Sequence, residues 1–290
     1  MRPCRDSIGT PSIGTPSIGK GYRTEWKYQL DIWIDPVDNR FMDVGTLAAV
    51  AAIGLAVGFL SGLFGKGGSA VATPLLHAIG LPAIVAVASP LPAAIPATFV
   101  AARAYARAGH VERRLVTWGA AVGLPATVAG ALLTRWVSGE ILVLATELLL
   151  LGLGLRFLFA RSEHADTSAP VGFGWRAITV AAGVGFVSGL LANGGGFLFA
   201  PLFVVVLHRP LKDALGTSSA LACLLAVPGT IVHAALGHID WTVTFVFAVA
   251  SVPFAALGAQ VALRTRTRPL QRAYGVAIAT FAAVFLAAAL

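Results

Sequence analysis

From Val44 to Leu290, apolar residues run in stretches of about 18 or more, the length that a bilayer core demands, separated by short polar interruptions. The pattern predicts five segments in the first half, at 44–64, 69–79, 83–102, 115–134 and 141–160. It predicts five more at 175–191, 197–207, 212–235, 243–263 and 273–290. The second segment of each set is too short to cross a membrane by itself. Residues 161–174, polar and proline-containing, read as a cytoplasmic linker between a first membrane repeat over 42–160 and a second over 175–290. Residues 1–41 differ from everything that follows. Ser7-Ile8-Gly9-Thr10-Pro11 recurs at Ser12–Pro16 and begins again at Ser17, a low-complexity tract that cannot build a core. It is expected to be a disordered tail, or to precede a natural start at Met42.

The two halves carry the same glycine-rich phrase. Gly58-Phe59-Leu60-Ser61-Gly62-Leu63 leads into Gly65-Lys66-Gly67-Gly68 and closes on Pro74-Leu75. Gly185-Phe186-Val187-Ser188-Gly189-Leu190 leads into Ala192-Asn193-Gly194-Gly195-Gly196 and closes on Pro201-Leu202. Ser61 pairs with Ser188 at an offset of 127 residues, and the offset becomes 128 after a one-residue insertion. Pro82 then matches Pro210, Gly109-His110-Val111-Glu112 matches Gly237-His238-Ile239-Asp240, and Pro125 and Gly130 match Pro253 and Gly258. A colinear match over most of both halves is an internal duplication.

Composition agrees with a membrane setting. The chain is 57% hydrophobic and 12% charged, with a mean hydropathy of +0.81, far from the roughly one-quarter charged content of soluble domains. The net charge of +8 lies largely in loops, so it reports orientation rather than nucleic-acid binding. Arg103, Arg107, Arg113 and Arg114 place the loop before residue 115 in the cytoplasm, whereas its counterpart around His238 and Asp240 carries no lysine or arginine. Arg264, Arg266, Arg268 and Arg272 mark another cytoplasmic loop, whose counterpart holds only Arg135 with Glu140. Equivalent loops therefore fall on opposite sides. The expected fold is an all-α polytopic membrane protein of two inverted repeats, each with a glycine-broken, re-entrant-like helix pair and three spanning helices.

Breaking a helix inside a bilayer frees backbone groups that are tolerated where they line a cavity or meet a ligand. Glycine lets cargo approach the backbone, and the short helices that follow aim N–H donors and positive dipole ends at the site. An anion suits such a site. Lys66 adds a full charge between Gly65 and Gly67, and Asn193 offers neutral polar groups at the matching place. Substrate contacts are assigned to Gly65, Lys66, Gly67, Gly68, Ser69, Asn193, Gly194, Gly195 and Gly196, with the hydroxyls of Ser89, Thr217 and Ser218 at the second matched place. Glycines in membrane helices also permit close packing, and such hydroxyls also bond to the preceding helical turn. Pro90, Pro92 and Pro96 are expected to unwind or kink their helix. Glu147, the acid well inside an expected span, is a candidate for proton coupling, although its counterpart is Gly275. His110 and His238 match and flank loops, where they read as surface histidines or pH sensors. No metal is expected, because His77, His208 and His233 lack ligand spacing, and Cys4 and Cys223 form no disulfide framework. Cys223 reads as a small buried residue. No phosphate-binding loop is present, and no cofactor is expected.

The doubled phrase Gly-Phe-Leu-Ser-Gly-Leu-x-Gly-x-Gly-Gly with a following Pro-Leu resembles the sulfite exporter TauE/SafE family of membrane carriers, and Gly216-Thr217-Ser218 fits that family's second region. The resemblance covers 42–290 and departs in the first half. Lys66 stands where an apolar residue is usual, Ser69 replaces a third glycine, and Ser89-Pro90 replaces Thr-Ser. It implies a multi-pass protein of the cell membrane that moves sulfite, sulfoacetate-like or other organosulfur anions. A secondary carrier is the leading expectation, and the partners implied are a small anion and the lipid bilayer. An anion channel and a nontransporting assembly factor are the alternatives. An intramembrane enzyme would need a nucleophile–base or metal constellation that the sequence does not offer.

Overall fold

The computed structural model describes residues 43–65, 69–137, 175–191 and 196–289, with isolated positions between 141 and 152. All regular structure among the described residues is helical. In the first half, α1 is Val44–Leu63, α2 Ser69–Ala78, α3 Ala83–Ala88, α4 Pro90–Arg107 and α5 Arg113–Leu133, closed by a single tight turn at Thr134–Trp136. In the second, α6 is Trp175–Leu190, α7 Gly196–Val205, α8 Leu211–Ala235, α9 Trp241–Arg264 and α10 Thr267–Ala289. The segment expected over 141–160, with Glu147, lies almost wholly outside the described residues, as do the linker and the tail.

The ends of these helices follow from local chemistry. Asp43 caps α1 by accepting from the Thr46 N–H at 2.7 Å, and Asp240 caps α9 by accepting from Thr242 and Val243 at 2.8 and 3.0 Å. Pro82 and Pro210, repeat equivalents, stand immediately before α3 and α8. The expected proline kink falls at Ser89: α3 stops at Ala88, and α4 restarts with Pro90 in its first turn, where a missing N–H costs nothing. In the second half α8 runs unbroken through the equivalent place for 25 residues. The short helices α2 and α7 have 10 residues each, about 15 Å of rise, half the thickness of a bilayer core of roughly 30 Å. The turns that follow them use positive φ at equivalent positions, 96° at Gly80 and 52° at His208.

Among the described residues, five helical stretches are long and apolar enough to cross a membrane: Val44–Leu63, Ala83–Arg107, Arg113–Leu133, Leu211–Ala235 and Trp241–Arg264. Their outward faces are apolar, as lipid requires; Phe245 is 71% exposed and Ile231 64%. Trp136, Trp175 and Trp241 stand exposed at helix ends, the level at which tryptophan settles in a membrane interface.

Packing entwines the halves. α1 lies along α9, α6 lies along α5, and the two halves meet where α4 and α8 cross. A Cβ on Gly62 would collide with the Ala255 carbonyl, and one on Gly258 with the Phe59 carbonyl. The same interlock recurs between α6 and α5, where Gly189 meets Thr127 and Gly130 meets Phe186. Backbones can approach this closely only where no side chain intervenes. Cys223 is half-buried rather than fully buried, and its thiol sits 3.6 Å from the Ile95 carbonyl. Position 95 is the repeat equivalent of 223 (95 + 128), so these two stand at the centre of a reciprocal arrangement. The core around this crossing includes Tyr105, Phe199, Phe203, Leu215, Leu221 and Tyr274, all almost completely buried.

Candidate functional site

The glycine phrases lie where the apolar helices α1 and α6 end. At the end of α1 the Phe64 N–H still donates to the Leu60 carbonyl at 2.9 Å, and at the end of α6 the Leu191 N–H donates to Val187 at 2.9 Å. Carbonyls one turn further on have no helical N–H to accept from. Side chains from the neighbouring helices supply the donors. Tyr105 of α4 donates its hydroxyl to the Gly62 and Leu63 carbonyls at 3.1 and 3.3 Å. His233 of α8 places Nε2 3.3 Å from the Gly189 carbonyl. Residues 105 and 233 are equivalents (105 + 128), as are 62 and 189 (62 + 127). A carbonyl only accepts, so His233 carries its proton on Nε2 and Nδ1 is an acceptor. His238 Nδ1 lies 3.1 Å from that Nδ1 and is therefore the donor between the rings.

Beyond α1, Gly65 turns with φ +63°, and the Ser218 hydroxyl donates to its carbonyl at 3.2 Å and to Leu215 at 2.9 Å. A Cβ at Gly65 would press on Ser218 Oγ, so only glycine lets the chain turn against α8 here. The first glycine break and the second-half hydroxyl assigned from sequence thus meet. Ser69 begins α2 and Gly196 begins α7. Lys66, Gly67, Gly68, Asn193, Gly194 and Gly195 lie outside the described residues.

The other two hydroxyls join the halves. Thr217 Oγ1 accepts from the Glu112 N–H at 3.0 Å, and Ser89 Oγ accepts from the Asp240 N–H at 3.0 Å. Both acceptor and donor are related by the repeat (89 + 128 = 217 and 112 + 128 = 240). Ser219, by contrast, bonds back to Leu215 within its own helix at 2.8 Å. Ser188, in the second glycine phrase, is buried and its hydroxyl has no partner among the described residues.

Among the described residues, the joint at Thr217 carries further side-chain pairs. His110 Nδ1 lies 2.6 Å from Asp213 Oδ1, and Arg209 Nε lies 3.1 Å from Glu112 Oε1 as an ion pair rather than an aligned hydrogen bond. Lys212 donates to the Leu263 carbonyl at 2.7 Å. At the equivalent of Arg209 stands Leu81, and at that of Asp213 stands Val85. Burial raises the Glu112 carboxyl above its ordinary pKa; Arg209 opposes that shift and Asp213 adds to it. His238 is pulled down to about 4, mainly by burial and secondly by His233.

Nothing in the sequence singles out Tyr105, and His233 reads there only as a histidine without metal-ligand spacing. The repeat offset put both in one column, but unlike side chains concealed the shared partner. Among the described residues no cluster of histidine, cysteine and acid has the makings of a metal site.

Comparison with known proteins gives a consistent picture. The model of the family described as sulfite exporter TauE/SafE matches residues 50–286. A probable membrane transporter protein of Xylella fastidiosa (strain 9a5c) is 30% identical over 249 residues, covering 82% of this chain and 94% of the relative. The probable membrane transporter protein YjnA of Bacillus subtilis (strain 168) is 27% identical over 236 residues, covering 77% and 93%. No solved structure matches.

Proposed function

This chain belongs to the sulfite exporter TauE/SafE family of membrane transporters, a multi-pass protein of the cell membrane, and on that footing we propose that it is a secondary carrier for small oxyanions. The cargo is of the sulfite or organosulfonate class, moved outward by alternating access and coupled to an ion gradient. One observation carries the reading: the apolar helices α1 and α6 end at equivalent glycine phrases, and a half-length helix follows each. The reciprocal packing of α1 on α9 and of α6 on α5 is what a two-fold relation between halves requires. Combined with the opposite charge of equivalent loops, it supports inverted repeats with the breaks near mid-membrane. Lys66, Asn193 and the backbone of Gly67, Gly68, Gly194 and Gly195 hold the anion, with donors from the starts of α2 and α7. Ser218, already bonded to Gly65, fixes the first break against α8. Glu147 is the proposed proton-coupling carboxylate.

The test is radiolabelled sulfite flux in proteoliposomes, with and without an imposed proton gradient, for the full chain and Lys66→Ala. Saturable, gradient-sensitive flux that weakens in the variant is expected. Flux that never saturates would make the protein a channel. Unchanged affinity and rate in Lys66→Ala would remove that residue from the site.

A further inference from the structure

We propose that Tyr105 and His233 are positioning residues for the transport site, each holding the carbonyl end of a broken helix so that the adjoining anion site presents N–H donors and not bare carbonyl oxygens. The inference rests on the proposed anion site at the glycine breaks and adds to it two side chains that lie outside the glycine phrases.

A helix that ends in the bilayer leaves its last carbonyls exposed, with the negative end of the dipole behind them. Left open toward an anion site, those oxygens would repel the cargo that the starts of α2 and α7 attract. They would also be unsatisfied groups in a medium without water. One buried donor per half answers both problems. Tyr105 reaches Gly62 and Leu63, and His233 reaches Gly189. Both donors come from the helices that cross at the centre, α4 and α8, and both are fully buried. Three features show that this is a repeated device and not an accident of packing. The donors are repeat equivalents, the acceptors are repeat equivalents, and the residue type differs between halves while the bond is kept. Generic core packing would preserve shape; here the shape has changed and the donor has stayed. In the second half the imidazole is itself held, because His238 donates to its Nδ1 and fixes the tautomer that points Nε2–H at Gly189.

The test compares Tyr105→Phe, His233→Phe and His233→Tyr in the full-length protein, by two readouts. Hydrogen exchange in the unliganded protein reads the brace directly. Tyr105→Phe should speed exchange in peptides spanning 58–65, and His233→Phe in those spanning 185–191, with His233→Tyr close to the parent. Sulfite flux in proteoliposomes reads the positioning role. Each Phe variant should raise KM by about tenfold, the weight of one hydrogen bond, with the maximal rate changed far less. His233→Tyr should restore KM, because the repeat already accommodates tyrosine at that place. Equal behaviour of His233→Phe and His233→Tyr would reduce position 233 to packing and overturn the proposal. Faster exchange with an unmoved KM would overturn the positioning role while leaving the braces as structural. Absence of sulfite flux in the parent protein would count against the proposed cargo and leave the braces to be decided by exchange alone. Loss of the Lys66 effect with the brace effects intact would move the failure to the site reading.

Discussion

His238 sits in the turn before α9 with its ring against that of His233, the centroids 5.3 Å apart. Two imidazoles at this distance can share one proton between their Nδ1 atoms but cannot each carry an extra one without repulsion. Burial first, and this repulsion from His233 second, favour the neutral ring of His238, and its pKa falls from the ordinary 6.5 to about 4. In this interval the unfolded chain binds a proton that the folded chain refuses, so stability rises with pH there. The contribution of His238 is complete above about pH 6.5 and is lost as pH falls toward 4. A thermal-unfolding series in detergent should show the midpoint dropping across that window, and His238→Gln should flatten the drop. An identical slope in the variant would assign the acid sensitivity to other groups. Sequence alone matches His238 to His110 and reads both as loop-flanking surface histidines; both stand beside turns, but each is only partly exposed, its ring held against a partner. What could not be read was that one ring faces Asp213 and the other faces a second histidine, because Asp213 and His233 have no like residue in the other half. The duplication reports backbone geometry, whereas the chemistry of a site resides in the columns where the two copies differ.

Glycine plays two roles along α1 and α6, and the division between them is sharp. Gly58, Gly62, Gly185 and Gly189 lie within helices, where a Cβ would strike backbone atoms of α9 or α5. Gly65 lies beyond the helix and makes the turn. The sequence offered close packing and a helix break as rival readings of one phrase, and each is true of different glycines in it. Gly62→Ala and Gly189→Ala should therefore each destabilise the folded protein by about 3 kcal/mol, since two backbones must separate to admit the methyl group. Gly183→Ala is the matched control in α6: nothing lies within 4 Å of its Cβ position, and the better helix former should be neutral or gain up to about 1 kcal/mol. Detergent-solubilised unfolding midpoints for the three variants check this, and equal losses at all three positions would contradict the packing geometry. Helix positions were legible because lipid dictates length and hydropathy together; α5, expected at 115–134, is found at Arg113–Leu133. Helix partners were not legible. An all-apolar helix gives no face to match, and the choice of α9 over α5 as the neighbour of α1 is made by interlocking backbones rather than by side-chain pattern.

At the scale of the whole molecule the two ends of the bundle are built alike and then made unequal. Each end has a hydroxyl of one half accepting from a loop N–H of the other, Thr217 with Glu112 and Ser89 with Asp240. The end at Thr217 adds the His110–Asp213 and Arg209–Glu112 pairs. A carrier that alternates must part its halves at one end and then at the other. In the proposed alternating-access cycle, these side-chain pairs would raise the cost of opening at their end and bias the resting protein toward closure on that side. Joining the halves covalently at that end should then stop transport. With Cys4 and Cys223 replaced, His110→Cys and Asp213→Cys bridged by a short bis-methanethiosulfonate should lose sulfite flux, and a thiol reductant should restore it. The single-cysteine variants treated in the same way control for damage by the reagent. Undiminished flux through fully bridged protein would mean that this joint stays closed throughout the cycle, and the motion would have to be sought instead at the α1–α2 and α6–α7 breaks, where Tyr105 and His233 hold the helix ends.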